Sequence, residues 1–421
     1  MQSAIDLLGI GIGPFNLSLA ALSSSVNKLK SRFFEQKASF EWHSELFFSD
    51  ATMQTTYLKD LVTPVDPTNP NSFLNYLVQK GSFYAFLNTN RKTISRQEFE
   101  AYCRWVSERL TNTQFASPVR EISHDGKLFQ IRLDEGGFSS QNICIGTGMK
   151  PYLPEMARDL IGPECFHAKS KYLQAAKLEG KRVLIIGGGQ TGAEIFLNSL
   201  RGMFGEPKSI RWVSRRLNLE ALDESAFAND YFTPDYVNSF YDLPQRDKDR
   251  VVAQQKLTSD GITPGYLEGI YRELYHRQHV QVDGAETEIL SGREMQTIRR
   301  VGEEYQVEVA NYVRGSREDF FADIVIFATG FKNVLPDCLE PLFGKLDLDS
   351  LGRPKLSPSF AMNWDGPEAS RIYAVNFGRH THGIAEPQTS LMAWRAATIL
   401  NDVLGQNHFA NKDSGPAFLK H

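Results

Sequence analysis

The run RVLII at 182–186, closed by Gly187-Gly188-Gly189-Gln190-Thr191-Gly192 and followed by AEIFLNSL, is the feature that most narrows the fold. Successive aliphatic residues read as a strand buried on both faces, and helical spacing begins directly after the glycines. A complete GxGxxG between a strand and a helix calls for a parallel α/β unit. The glycines turn the chain tightly and let the backbone approach a pyrophosphate, while unpaired N–H groups at the helix start attract its charge. Gly187, Gly189, Gln190, Thr191 and Gly192 are therefore candidate contacts to a dinucleotide.

The same order occurs at the amino terminus, where Ile5, Leu7 and Leu8 lead into Gly9-Ile10-Gly11-Ile12-Gly13-Pro14 and a helical pattern over 16–22. Pro14 stands where the third glycine belongs, a substitution that a first helical turn tolerates. About 20 residues on, Phe33-Phe34-Glu35 ends an apolar run in a carboxylate, as an acceptor for ribose hydroxyls should. Gly9, Gly11, Gly13, Pro14 and Glu35 make the first candidate site. At the second, the strand run SIRWV (209–213) ends in Ser214-Arg215-Arg216, with no acid. Arginine pairs a 2′-phosphate that a carboxylate would repel, so NADPH is favoured over NADH. An acidic ribose partner first and arginines a domain later suggest FAD first and NADPH second.

NICIGTG (142–148) and DIVIFATG (323–330) each end a strand run in a small residue, Thr and Gly, and read as points where the chain crosses between domains. Between Leu217 and Tyr275 the apolar alternation gives way to polar-aromatic segments, which suggests a mainly helical insertion. The expected fold is α/β, with two Rossmann-like dinucleotide-binding domains and a small mainly helical substrate insertion. Residues 1–160 plus 334–421 would form a discontinuous FAD domain, 161–222 plus 276–333 the NADPH domain, and 223–275 the insertion. The polar tail after Gly405 is expected to fray.

A length of 421 residues fits two or three packed units. Forty-six basic against fifty acidic residues, net −4, provide no basic excess for nucleic-acid binding. No apolar run reaches the 18 or more residues of a membrane-spanning helix, and MQSAIDLLGIGIGP does not read as an export signal. Cys103, Cys144, Cys165 and Cys338 lack CxxC spacing, which points to reduced thiols in the cytoplasm. His380 with His382, and Cys165 with His167, have no third partner at a metal spacing, so no metal is expected. The second glycine run lacks GK[ST] and is not a phosphate-transfer loop.

The stretches GIGPFNLSLA (11–20), FEWH (40–43), MQTTYLKDLVTPVDPTNPNSFLNYL (53–77), IGGGQTGAE (186–194), FANDYFTPDY (227–236), TSDGIT (258–263), IFATGF (326–331) and THGIAEPQTSLMAWR (381–395) resemble the microbial N-hydroxylating flavin monooxygenases. That family contains lysine, ornithine and diamine N-hydroxylases of hydroxamate siderophore pathways, and the lysine type is the most similar. The resemblance implies that NADPH reduces FAD, that O2 gives a C4a-hydroperoxyflavin, and that a small aliphatic amine attacks its distal oxygen. It further implies a homo-oligomer. By position, Trp42, His43, Thr381 and Gly383 would contact FAD and Gln54 would lie beside the flavin ring. Lys59 would contact substrate, Asn229 and Ser259 would face substrate and nicotinamide, and Ser390 would lie on the substrate side. His382 reads either as a general base or as a residue that shapes the pocket. Lysine and short diamines such as putrescine or cadaverine are not separable by these motifs. The competing readings are a flavin monooxygenase acting on sulfur or ketones and a two-dinucleotide flavin reductase. The reductase would require a redox CxxC or CxxxxC near the flavin.

Overall fold

A computed structural model describes residues 4–281 and 285–410. Two sheets organise it, a mixed one built around parallel strands and an all-parallel one, in line with the expected α/β class. In the first, the strands Thr113–Gln114, Ser31–Phe34, Ile5–Ile10 and Gly137–Ile145 lie side by side in that order. The long strand Gly137–Ile145 has two partners. Its first half pairs antiparallel with Phe129–Arg132, and its second half takes the late strand Ile372–Ala374 in parallel. Alternation decides the two cores: Leu7, Phe33 and Cys144 point to one side, Leu8, Phe34 and Ile143 to the other. The first side is covered by the helices Pro14–Ser23, Arg96–Arg109 and Met392–Leu404.

The second sheet runs Glu286–Ser291, Ser209–Ser214, Arg182–Ile186, Ile324–Phe327 and Cys165–His167, all parallel. The helices Gln190–Leu200 and Pro264–His279 pack on one face around Ile195, Phe196, Tyr266 and Ile270. Among the described residues the other face carries no α-helix, only the short 3-10 helix Glu155–Leu160, whose Ala157 enters the core there. An antiparallel sheet of Arg293–Val301, Glu304–Asn311 and Ser316–Ala322 closes that face, with Val307 and Val309 against Leu184 and Val213. Strict alternation in EYQVEVAN (304–311) carries the signal for this layer.

After the first sheet the chain crosses at Lys150–Pro151 and returns at Phe331–Lys332, and these two segments pair antiparallel. A second tie is less visible in sequence: Leu46, Phe48 and Ala51, from the loop after the second strand, pack in the core of the second unit. Tyr266 donates to Asp50, which also pairs with Arg201 at 2.8 Å. Between the strands Ser209–Ser214 and Glu286–Ser291 lies the helical stretch anticipated from the loss of alternation. It contains Pro234–Tyr241, Gln245–Gln254 and Lys256–Asp260. Pro234 occupies the first helical position there, and the Thr233 hydroxyl caps the N–H of Tyr236.

The expected fraying past Gly405 does not hold for residues 406–410. Phe409 is buried, and Asn401 brackets it by accepting from its N–H and donating to its carbonyl, at 2.9 and 3.0 Å. Residues 411–421 lie outside the described residues. Among the described residues no helix is long and apolar enough to cross a membrane.

Candidate active site

Both glycine turns lie at the carboxyl ends of their strands, the edge at which open α/β sheets bind ligands. In the first, a Cβ at Gly9 would stand 2.0 Å from the Phe33 ring, and one at Gly11, whose φ is +83°, would stand 2.7 Å from the Gly146 carbonyl. Gly13 is different: nothing lies closer than 3.9 Å to its would-be Cβ, and as N-cap it offers the helix no side-chain cap. The first N–H groups of that helix therefore face outward, as an anionic group requires. Glu35 follows at the end of the next strand, where its carboxylate accepts from the N–H groups of Ile12 and Lys37 at 2.8 and 3.0 Å. Sequence reasoning missed Asn16, which is fully buried and donates to the carbonyls of Gly11 and Ile10 at 2.8 and 3.3 Å. A lone asparagine in an apolar helix was the available signal.

The second turn is tighter. A Cβ at Gly187, with φ +130°, would meet the Ala328 carbonyl at 2.1 Å, and one at Gly192 would meet the Gly187 carbonyl at the same distance. That carbonyl accepts from the indole N–H of Trp212 at 2.8 Å. Gly189 caps its helix with open space around it and no side-chain cap. Both turns thus fit a dinucleotide: close backbone approach, an open helix start, and a second strand beside each. Thr191 is half-buried in the first turn of the helix. Gln190 is engaged within the protein, accepting from the Thr263 N–H at 2.8 Å and donating to Glu194 at 2.8 Å. Glu194 in turn pairs bidentately with Arg96 of the first unit, at 2.6 and 2.8 Å.

The adjacent arginines part company. Ser214 is buried and accepts from the Arg216 N–H at 3.2 Å. Arg216 turns inward, donating to the Asp260 carbonyl at 2.9 Å, whereas the side chain of Arg215 is 75% exposed and lies 3.1 Å from Glu294. Asp260 and Ser259 also bind Arg379, at 3.0 and 2.8 Å. Ser259, Arg216 and the segment 378–383 therefore meet. Within that segment the Thr381 hydroxyl donates to the Gly378 carbonyl, and Phe240 of the helical stretch packs on Gly383, whose φ is +81°.

Trp42 places its ring edge-on to His43 and Phe99, and its backbone N–H donates to the Glu100 carboxylate at 2.8 Å. His43 sits between the units, with Nδ1 3.3 Å from Lys169 and its ring against Phe331. Burial first, and then the Lys169 charge, push its pKa down to about 3. His382 is likewise held near 3 by burial and by Arg395, stacked at 4.2 Å on Phe360 with Nδ1 2.8 Å from the Thr381 hydroxyl. A histidine so weakly basic is a poor proton acceptor at neutral pH, which favours its pocket-shaping role over the base.

Lys59 and Asp60 do not form a surface ion pair. The Asp60 carboxylate accepts instead from the N–H groups of Val62, Thr63 and Phe73 and from the Thr63 hydroxyl, at 2.9, 2.7, 2.6 and 2.8 Å. Lys59 borders a small cavity with Met53, Tyr57, Phe73 and Phe99, and burial lowers its pKa. Among the described residues no ion pair or hydrogen bond engages its ammonium. Gln54 is exposed nearby. Asn229 is exposed and donates to the Ser225 carbonyl at 3.2 Å, a local turn contact that joins it to none of the other candidates. The Ser390 hydroxyl is buried without a hydrogen-bond partner.

The match to known proteins follows this geometry. Residues 3–333 match the model of the family described as L-lysine 6-monooxygenase/L-ornithine 5-monooxygenase. The L-lysine N6-monooxygenase of Escherichia coli is 44% identical over 97% of this chain and 96% of its own length. The FAD-bound cadaverine monooxygenase of the desferrioxamine pathway from Erwinia amylovora is 26% identical with a TM-score of 0.89, and both chains are covered fully. A Kutzneria ornithine N-hydroxylase, solved with reduced FAD, NADP+ and L-ornithine, is 25% identical with a TM-score of 0.87 over 96% of this chain and 99% of its own. With its glycine turns, its helical insertion and four-fifths of its length inside that match, this chain belongs to the L-lysine 6-monooxygenase/L-ornithine 5-monooxygenase family.

Proposed function

We propose that this chain is an FAD- and NADPH-dependent monooxygenase that converts the terminal amine of L-lysine, with O2, into a hydroxylamine and water for hydroxamate siderophore assembly. The observation that carries lysine over a diamine is the uncompensated Lys59 ammonium. A substrate carboxylate would neutralise it, whereas the second ammonium of cadaverine or putrescine would repel it. At ~4 Å and an effective dielectric of ~20, like charges cost about 4 kcal/mol. The 44% identity to a lysine enzyme supports the same choice, while the likeness to a cadaverine monooxygenase favours the diamine as second reading.

FAD, when bound, supplies the redox chemistry that no side chain provides. The protein's part is placement. The first turn, Glu35, Trp42, His43, Thr381 and Gly383 would hold FAD, with Gln54 beside its ring. The second turn, with Gln190, Thr191, Ser214 and Arg215, would hold NADPH, and Arg216, expected there too, would brace the site from its tie to the Asp260 carbonyl. Residues 1–160 plus 334–421 are assigned to the FAD domain, 161–222 plus 276–333 to the NADPH domain and 223–275 to the insertion, except that the helix Pro264–His279, which packs on the second sheet, goes whole to the NADPH domain. Asn229, Ser259 and Ser390 are assigned to the substrate and nicotinamide side, with the Ser390 hydroxyl favoured by its lack of an internal partner. A substrate amine of pKa near 10.4 reacts only when neutral, so its burial in the site has to favour the uncharged form. Four buried cysteines outside any disulfide support a reducing, cytoplasmic setting. A homo-oligomer is proposed from the family, and a monomeric mass by light scattering would refute it.

The test is hydroxylamine formation with NADPH, FAD and O2 across lysine, ornithine, putrescine and cadaverine. Lysine should be preferred, and Lys59→Ala should raise its KM by about 10- to 100-fold, as loss of a charged contact worth about 1.5–3 kcal/mol implies. Flavin reduction by NADPH should change less than twofold. Equal loss of both steps would remove Lys59 from substrate binding. Turnover of thioethers or ketones without hydroxylamine from any amine would favour the sulfur or ketone reading.

A further inference from the structure

A cavity of about 470 Å³ lies at the amino ends of the strands Ile5–Ile10 and Ser31–Phe34, a size that holds a small metabolite. The first glycine turn is at the other end of the strand Ile5–Ile10, about 17 Å away for a run of that length. Lys30 and Arg32 both line the cavity, and no carboxylate does. Asp6, beside Ile5, gives its carboxylate to the Lys30 backbone N–H at 2.8 Å. The Arg32 guanidinium stands 5.7 Å from the centre of the Phe138 ring, and its Nε is buried without a hydrogen-bond partner. Among the described residues no ion pair engages either cation. The hydroxyl protons of the lining are already spent: Ser23 and Ser24 donate to the carbonyls of Ala20 and Ala21 at 3.0 and 2.7 Å. Asn112 donates to the Ala20 carbonyl and the Ser31 hydroxyl, both at 3.0 Å, while its Oδ1 is buried with no partner.

We propose that this cavity binds a small dianion that carries hydroxyl groups, at a site separate from the flavin and nicotinamide. Two cations without a counter-charge, in a chain of net −4, attract two negative charges. Arg32 offers a carboxylate or phosphate the forked pairing that a guanidinium favours. The ligand must also donate, because a buried acceptor such as Asn112 Oδ1 costs free energy until a hydroxyl proton reaches it. Val26, Leu29 and Phe138 supply an apolar wall, which suits a carbon skeleton rather than a bare inorganic ion. Hydroxydicarboxylates and sugar phosphates share this chemistry. The length of the strand keeps such a ligand away from the flavin, so it is not the amine that is hydroxylated.

The test is calorimetry on the FAD-loaded enzyme with L-malate and with ribose 5-phosphate, against succinate and methyl phosphate as counterparts without a carbon-borne hydroxyl. At least one hydroxylated probe should bind at a single site with a Kd below ~1 mM, and about fivefold more tightly than its counterpart. Binding of malate alone identifies a carboxylate ligand and binding of ribose 5-phosphate alone a phosphate, and either supports the site. Arg32→Gln should weaken the bound probe about tenfold or more, and Lys30→Gln, on an exposed side chain, about threefold. Saturating NADP+ should leave the affinity unchanged, and both variants should keep the wild-type rate of NADPH oxidation when no probe is present. No binding of either probe below ~10 mM, an unchanged affinity in Arg32→Gln, or displacement of the probe by NADP+ would overturn the cavity as its site. Equal binding of the counterparts would overturn the hydroxyl requirement.

Discussion

Replacing Glu386 by glutamine is expected to destabilise the protein by about 3–5 kcal/mol, the usual loss when one partner of a buried ion pair is removed. Glu386 and Arg395 are 2% and 1% exposed, deep in the THGIAEPQTSLMAWR segment. The Glu386 carboxylate accepts from the N–H groups of Asn376 and Gly378 at 2.6 and 3.0 Å, and the Arg395 guanidinium donates to the Glu386 carbonyl. Burial pushes the Glu386 pKa up and the Arg395 pKa down, and each charge opposes the other's shift. Glutamine would leave a buried guanidinium without its counter-charge, held by the carbonyl of residue 386 and the faces of Phe15 and Phe360, at 4.6 and 5.6 Å. Chemical denaturation checks the size of the loss, and Arg395→Met should recover much of it in the Glu386→Gln background, because no charge would then be stranded. A loss below about 1 kcal/mol would mean that the pair carries no charge in the folded state.

Acid should unfold the protein well before its carboxylates titrate. His43 and His382 are held near pKa 3, and His167 near 4, chiefly by burial. Their unfolded value is near 6.5, so below that pH the unfolded chain binds protons that the native state refuses. Stability from these residues is complete above pH 6.5 and declines as pH falls toward 3–4, by roughly 1.4 kcal/mol per unit for each histidine. Asp60 and Glu386, whose pKa values are raised by burial, work in the opposite direction and offset part of the loss. The expected result is a thermal midpoint that drops steeply between pH 6.5 and 5. A flat profile there would show that the three rings take up protons without unfolding.

The residues that were legible in advance act through their neighbours in the chain. RVLII with its glycines, and the Ile5–Gly13 run, become strand, turn and helix because apolar spacing and missing Cβ atoms are local properties. The alternation in 304–311 was equally local, and the layer it forms was within reach of the same reasoning. Arg215 and Arg216 looked equivalent as text. Only the approach of Asp260 from one side and Glu294 from the other separates an inward strut from an exposed charge. Lys59 and Asp60 are adjacent opposite charges in the sequence, and only the fold brings Phe73 and Thr63 to the carboxylate and leaves the ammonium apart.

By itself the sequence determined the two strand–glycine–helix turns, the carboxylate and the arginines that follow them, and the family resemblance that names a chemistry. The tertiary structure decided which charges remain unpaired, how Leu46 and Phe48 lock one unit into the other's core, and where Glu386 meets Arg395. The physical reason is range: turn formation depends on a few consecutive dihedrals and side chains, whereas burial and charge compensation depend on what distant segments bring to the same few ångströms.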